Sequence, residues 1–162
     1  KAPIINIEEP GVIFKKLNSD DSLNNLSNYS LKIAPNRKIN RMELYVDRKV
    51  DFEKFTVNDL EADSIYLWEN PFHVFTNRWE NKLLTYHAAN QDTLRINFSL
   101  KKNQKVPDFV LYESSYDLLE NKQLKVQPRS RDMMPKPFVL NDAVVLKKVI
   151  RFKENNEQLE KE

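Results

Sequence analysis

Apolar and polar residues alternate one by one along several segments of this chain, and this period of two is its most constraining feature. Residues 94–101 read Leu-Arg-Ile-Asn-Phe-Ser-Leu-Lys, residues 41–47 alternate in the same way, and residues 144–152 do so with Lys148 as an interruption. Successive side chains of a strand point to opposite faces, so the pattern predicts strands with one buried and one solvent-facing side. Shorter segments of this character are 4–7, 12–17, 31–34, 52–57, 65–68, 83–87 and 109–112.

Turn residues recur at short spacing between these segments, which favours a sandwich or a barrel. We predict an all-β fold, a β-sandwich with Greek-key-like connections and little helix. Residues 20–28 and 116–121 are the candidates for a short turn of helix. No linker divides the chain, and its length is sufficient for a real core. We therefore predict one β-sandwich domain at residues 1–152 and a charged, disordered tail at residues 153–162.

Composition excludes several classes of function. The 162 residues include a single glycine, Gly11, whereas Gly-rich phosphate loops and dinucleotide fingerprints need several. Turns must therefore use Asn, Asp and Pro. The absence of cysteine excludes disulfides and thiolate chemistry. A net charge of +2, with interspersed charges, predicts no nucleic-acid partner. No apolar run approaches the roughly 20 residues of a bilayer span, so we expect no direct membrane insertion by this chain.

Residues with catalytic or metal-binding chemistry are few and widely spaced. The two histidines, His73 and His87, are fourteen positions apart and do not form a metal-ligand pattern. Ser114 or Ser115 with His87 and Asp92 resembles a nucleophile with its partners, but the flanking glycines of a nucleophile elbow are missing. The sequence therefore predicts no catalytic residue, no metal site and no cofactor.

An aromatic segment, YLWENPFHVFTNRW at residues 66–79, has two interpretations. Its rings could stack on sugars or hold a peptide, or they could pack within the core and loops, which is the commoner outcome. Arg78 could contact a ligand or cap a sheet edge. The candidate interaction surface includes Trp68, Phe72, Arg78 and Trp79 from this segment.

The second half of the candidate surface lies in the segment PRSRDMMPKPF at residues 128–138. Proline cannot donate to a sheet ladder, so this segment is predicted to be an irregular connector. Met133 and Met134 are expected to pin it to an apolar surface, either of this domain or of a neighbouring one. Arg129 and Arg131 flank them and complete the candidate interaction surface.

Three segments, LLTYHAANQDTLRINFSL, VPDFVLYESSYDLL and PRSRDMMPKPFVLNDAVVLKKVIRF, carry a resemblance over roughly residues 80–152. In this order they resemble the C-terminal end of membrane-embedded zinc exopeptidases of metallopeptidase family 28, Bacteroidetes forms included. These are the multi-spanning members related to the endoplasmic-reticulum metallopeptidase. The shared features include the step from Glu113 to Leu118 and the Arg-to-Met-Pro-x-Pro connector from Arg129 to Pro137.

The resemblance implies a non-catalytic C-terminal domain on the extracytoplasmic, periplasmic face of a bacterial membrane. Its expected partners are the peptidase domain and membrane segments of a longer parent chain, of which we interpret this sequence, beginning at Lys1, as a piece. The family's zinc ligands lie in the peptidase domain, and none has a matching position here. Two alternatives remain. A free-standing carbohydrate- or peptide-binding module would expose Trp68 or Trp79 in a groove, and a hydrolase would have a concave site near His87.

Overall fold

The structure is a computed structural model that describes residues 5–18, 23–61, 64–67, 70–73, 78, 80–89, 91–137 and 139–153, with the backbone alone at 64–67 and 70–73. These residues form strands and turns, and no helix occurs among them. The strands are β1 (Gly11–Lys16), β2 (Leu26–Ala34), β3 (Arg41–Tyr45), β4 (Lys54–Val57), β5 (Leu60–Glu61), β6 (Ser64–Leu67), β7 (Asn70–His73), β8 (Lys82–His87), β9 (Leu94–Lys101), β10 (Phe109–Ser115) and β11 (Val144–Ile150).

The strands build two antiparallel sheets and a separate β6-β7 hairpin. The five-stranded sheet has the order β1-β2-β9-β4-β5, and the four-stranded sheet has the order β11-β10-β3-β8. The chain crosses between the sheets from β2 to β3 and again from β9 to β10, as Greek-key connections do. Three strands of each sheet have the neighbour relations of an immunoglobulin-type sandwich. β1, β2 and β9 correspond to strands A, B and E, and β11, β10 and β3 correspond to strands G, F and C. The predicted all-β class is therefore confirmed.

The core lies between the two sheets, and Phe98 of β9 joins several of its aromatic rings. Its ring centroid is 5.5 Å from that of Tyr29, 5.2 Å from Phe52 and 5.7 Å from Phe109. Since Phe109 belongs to the four-stranded sheet, this last contact links the two layers. Further buried apolar residues follow the alternation of their strands: Leu31, Ile33, Met42, Leu44, Leu94, Ile96, Leu100 and Leu111.

Both helix predictions are wrong where the structure describes them. Within residues 20–28, positions 23–25 form a turn and β2 begins at Leu26, because Leu26 packs into the core as part of a strand. Residues 116–121 form turns that begin directly after β10. The strand candidate at 4–7 is also wrong for residues 5–7, which have no ladder partner. β7, which contains Pro71, was not predicted, and the tail beyond residue 153 lies outside the described residues.

Asparagine and aspartate take the left-handed backbone positions that glycine fills in most proteins. Asn25, Asn58, Asp59 and Asp142 have φ values between 48° and 66°, and Gly11 is not among the residues with positive φ. Short polar side chains tolerate this region better than other non-glycine residues do. The prediction that Asn and Asp form turns in this glycine-poor chain is confirmed at these positions.

Candidate functional site

The structure describes only part of the aromatic half of the predicted interaction surface. Trp68 and Trp79 lie outside the described residues, and Phe72 is described only by its backbone in β7. Arg78 is half-buried and its Nη2 donates to the carbonyl oxygen of Asp47 at 2.7 Å. Its guanidinium carbon lies 5.5 Å from the ring centroid of Phe52. These contacts are those of a residue that caps the core, and a ligand-binding role stays a prediction.

Burial lowers the pKa of Arg78, and the neighbouring Asp47 carboxylate opposes that shift. The guanidinium nevertheless remains a cation at neutral pH, because the ordinary pKa of arginine is so high. Arg78 therefore places a positive charge against the Phe52 ring at one end of the sandwich.

The connector between β10 and β11 folds back on itself as a closed loop at residues 129–142. Its base is closed by an ion pair between the guanidinium of Arg129 and the carboxylate of Asp142. Asn141 adds a second closure, because its Nδ2 donates to the carbonyl oxygens of Lys136 and Val139. Of the predicted surface arginines, Arg129 thus has an internal structural partner, while Arg131 is exposed.

The two methionines stand on this closed loop and face solvent. The backbone N–H of Met133 donates to the carbonyl oxygen of Ser130 at 3.0 Å, which forms a turn. The exposed fraction is 63% for Met133 and 89% for Met134. The sequence predicted that these side chains contact an apolar surface of this domain or of a neighbouring one. The described part of this domain does not cover them. Contact with a neighbouring domain stays a prediction.

A second site, which the sequence did not predict, lies on the solvent side of the four-stranded sheet. Residues facing one another across β3, β10 and β11 form rows there, since Arg41 pairs with Ser114 and Ser114 pairs with Val145. In the next row Glu43, Tyr112 and Lys147 are aligned. We call this concavity the outer groove; it encloses about 420 Å³ and is lined by Glu43, Tyr45, Asn81, Val110, Tyr112, Ser114, Leu140, Val145 and Lys147.

Two tyrosines, each with a lysine over its ring, form the middle of the outer groove. Tyr45 and Tyr112 meet edge to face with 5.4 Å between ring centroids. The ammonium of Lys82 lies 5.6 Å from the Tyr45 centroid, and that of Lys147 lies 5.7 Å from the Tyr112 centroid. Each ammonium covers part of one ring face, which leaves less of that ring free to stack on a sugar.

Glu43 is the one carboxylate among the residues that line the outer groove, and two cations hold it. Arg41 Nη2 and Lys82 Nζ each lie 2.7 Å from its Oε1. Burial raises the pKa of Glu43, but the hydrogen bonds and charges of Lys82 and Arg41 outweigh this and keep the pKa below its ordinary value. The hydrogen bond to Glu43 in turn raises the pKa of Lys82.

Two buried polar atoms beside the outer groove have no hydrogen-bond partner among the described residues. One is Oγ of Ser114, a fully buried residue, and the other is Nε of Arg41. Their backbones face each other in the β3–β10 ladder. An unsatisfied buried donor costs about 1–3 kcal/mol, so native structures contain few of them.

The serine–histidine arrangement considered from the sequence is not assembled. His87 on β8 is exposed and pairs with Arg41 in the register of β3. Ser114 lies on the far side of β3, so strand spacing separates the two backbones by roughly 9–10 Å. Ser115 points into the opposite face, where its Oγ contacts Arg37 and Asp117.

Glu113 is a charged residue inside the sandwich whose burial the sequence did not predict. It is fully buried on β10, and Arg37 Nε donates to its Oε2 at 3.3 Å while Arg37 Nη2 donates to its backbone oxygen at 3.0 Å. Burial raises the pKa of Glu113, and the charge and hydrogen bond of Arg37 offset part of that rise. Extending the predicted strand 109–112 by one residue would have placed Glu113 on the buried face.

Metal-ligand clusters and membrane-spanning helices are both missing from the part of the chain that the structure describes. No cluster of three or more His, Cys, Asp or Glu side chains suited to a metal ion occurs among the described residues. That part of the chain also holds no helix long and apolar enough to cross a membrane. The fold and sites thus define an all-β sandwich with a closed methionine-bearing loop and a tyrosine-lined groove. No family model, no curated protein and no solved structure matches the chain.

Proposed function

We propose that this chain is a non-catalytic accessory domain of a membrane-bound zinc aminopeptidase-like enzyme, on the periplasmic face of a bacterial membrane. It packs on the peptidase domain of the parent protein or shapes substrate access, and its partners are that domain and the membrane segments of the parent. One observation carries the docking role: the closed 129–142 loop holds Met133 and Met134 out to solvent, 63% and 89% exposed. The resemblance of residues 80–152 supports the identity of the parent.

Exposed methionines on a fixed loop are suited to docking for two physical reasons. A methionine side chain is apolar and flexible, so it adapts to the shape of a partner surface. The backbone that carries Met133 and Met134 is already held by Arg129–Asp142 and by Asn141, so less conformational entropy is lost on binding. Burying both side chains against the peptidase domain would contribute about 1.5–3 kcal/mol each.

Co-purification of the 162-residue chain with the parent's peptidase domain tests this proposal. The M133S/M134S variant should lose the association while its free energy of unfolding changes by less than about 0.5 kcal/mol, because the side chains are exposed. Leu60→Ser is the matched control, since Leu60 is 74% exposed and lies on β5 of the five-stranded sheet, away from the 129–142 loop in the sequence. Absence of any association by the unmodified chain, free or within the full-length parent, would refute the docking role.

A second candidate is a free-standing binding module for carbohydrate or peptide at a bacterial surface. The outer groove favours it, because a concavity of about 420 Å³ falls within the usual size of small-ligand sites. The lysines above Tyr45 and Tyr112 favour peptide over sugar. Glycan and peptide arrays test this candidate. Binding to an array by the unmodified chain, together with no association with the peptidase domain, would replace the first proposal with the second.

A further inference from the structure

We propose that the outer groove binds a small organic acid, with its carboxylate held by Ser114, Arg41 and Lys147 and its apolar body against Val145 and Leu140. This site uses Leu140 of the 129–142 loop but neither Met133 nor Met134, and it is expected whether the chain is an accessory domain or a free-standing module. The ligand class follows from three properties of the groove: its unpaired donors, its charge and its walls.

The unpaired donors call for an acceptor that can bridge two neighbouring strands. Ser114 Oγ and Arg41 Nε are both buried without a partner among the described residues, and the two residues face each other across the β3–β10 ladder. A carboxylate has two oxygens with several lone pairs, so it can accept from both groups at once. Hydrogen bonds from charged donors to a carboxylate are about twice as strong as neutral ones.

The charge of the outer groove selects an anion. Arg41 and Lys82 bind the carboxylate of Glu43, and a third cation, Lys147, lies over the ring of Tyr112. Both of these cations are thus paired, whereas Lys147 has no ion pair or hydrogen bond among the described residues and lies over an aromatic ring. Its ammonium is therefore available to a ligand. The excess positive charge also disfavours cations in the groove.

The walls of the groove select a ligand with an apolar body. Val110, Leu140 and Val145 line it together with the two tyrosine rings. The space of about 420 Å³ accommodates an apolar acid or the last residue or two of a peptide. Both sources present the same chemistry, a carboxylate attached to an apolar group, and separate probes distinguish them.

Binding is measured by amide chemical shifts of the isotope-labelled 162-residue chain with three probes at millimolar concentration. The probes are N-acetylphenylalanine, its uncharged amide, and 3-phenylpropanoate. We expect N-acetylphenylalanine to shift the signals of Arg41, Ser114 and Lys147, and the amide to bind at least about tenfold more weakly because it lacks the charge. Equal binding of 3-phenylpropanoate identifies any apolar acid as a ligand; its failure identifies a peptide carboxyl terminus.

Two variants test the assigned contacts. Ser114→Ala and Lys147→Gln should each weaken N-acetylphenylalanine binding by about tenfold. Ser114→Ala should leave the urea midpoint of unfolding unchanged or raise it, because the hydroxyl that it removes is buried and unpaired. If Ser114 had only a structural role, the same substitution would lower the midpoint. The control is Lys148→Gln, on the opposite face of β11, where Lys148 pairs with Glu9 and not with the groove.

Three results would overturn the proposal. The first is the absence of shifts at Arg41 and Ser114 with every probe, which would mean that water satisfies these donors. The second is equal binding of the uncharged amide. The third is that Lys148→Gln weakens binding as much as Lys147→Gln, since the carboxylate would then be held elsewhere.

Discussion

Arg37 closes one end of the sandwich by donating to both the side chain and the backbone of Glu113, at 3.3 Å and 3.0 Å. The pair joins the β2–β3 connection to β10, one of the two central strands of the four-stranded sheet. One carboxylate oxygen, Oε1, has no partner among the described residues, so the pairing compensates only part of the cost of burial. The stability of this protein should therefore depend on the ionisation of Glu113.

Stability contributed by Glu113 should fall as pH rises. Burial raises its folded-state pKa above the ordinary value of 4.5, with Arg37 offsetting part of the rise. From about pH 4.5 up to that raised pKa the folded state holds a proton that the unfolded chain has lost, so the free energy of unfolding decreases. In urea titrations, the advantage of wild type over Glu113→Gln should shrink across this window. An advantage that grows with pH would contradict the assignment.

Glu43 should show the opposite dependence. Burial raises its pKa, but Lys82 and Arg41 outweigh burial and set the folded-state pKa below 4.5. The stability that Glu43 contributes is therefore fully present above pH 4.5 and is lost as the pH falls through the lowered pKa. The advantage of wild type over Glu43→Gln should be about 1 kcal/mol at neutral pH, since Lys82 is 40% exposed. Parallel stability curves of the two proteins below pH 4.5 would disprove the expected sign.

The aromatic contacts of Phe98 predict a large loss of stability on truncation. Phe98→Ala leaves a cavity between Tyr29, Phe52 and Phe109, and should lower the free energy of unfolding by about 3–5 kcal/mol. Val149→Ala is the control, because Val149 is 44% exposed on β11 and should cost about 0.5 kcal/mol. Denaturant unfolding measures both values. A similar loss in the two variants would show that Phe98 does not organise the core.

Substitutions in the β4–β5 turn distinguish the effect of backbone strain on stability from the effect of side-chain hydrogen bonds. Asn58 and Asp59 have φ values of 48° and 66°, which suit a type I′ hairpin turn. Asp59→Gly should be neutral or stabilising, whereas Asp59→Ala should cost about 1 kcal/mol. Asn58→Gly should destabilise despite its relaxed backbone, because the Asn58 amide accepts from Arg95 N and donates to the Tyr86 hydroxyl. Thermal unfolding that finds Asn58→Gly stabilising would show that these hydrogen bonds contribute little.

Opening the 129–142 loop should mobilise its methionines without unfolding the domain. Arg129→Gln removes the ion pair to Asp142, so the Met133 amide, bonded to Ser130, should exchange its hydrogen several-fold faster. The amides of β10 should keep their protection. Arg131→Gln, an exposed neighbour, is the control and should leave the Met133 rate unchanged. Equal rates in wild type and Arg129→Gln would mean that the ion pair does not fix the loop.

The local pattern predicted much of the fold because it acts within a few residues. Alternation located β3, β9 and β11, and the scarcity of glycine predicted turns built on residues such as Asn58 and Asp142. It failed at residues 20–28, where helix-compatible spacing of two leucines competed with burial of Leu26 in a strand. Tertiary contacts override weak local preferences of this kind.

The candidate sites, like the fold, could be predicted from the sequence only in part. The methionine-bearing connector was visible in the sequence, because three prolines within a short segment exclude a strand. Its closure by Arg129 and Asp142 was not, since an ion pair across thirteen residues depends on how the connector folds. The resemblance to metallopeptidase family 28 and the function it implies stay predictions.

The sequence by itself determined that segments of alternating apolar and polar residues form strands and that asparagine and aspartate form the turns. It also excluded a glycine-rich phosphate loop. Only the tertiary structure decided which strands became neighbours. Pairing of β3 with β10 and of β10 with β11 placed Arg41, Ser114 and Val145 in one row and created the outer groove. The physical reason is that side-chain alternation is a local property of each strand. Strand order and register instead depend on contacts between residues far apart in the chain.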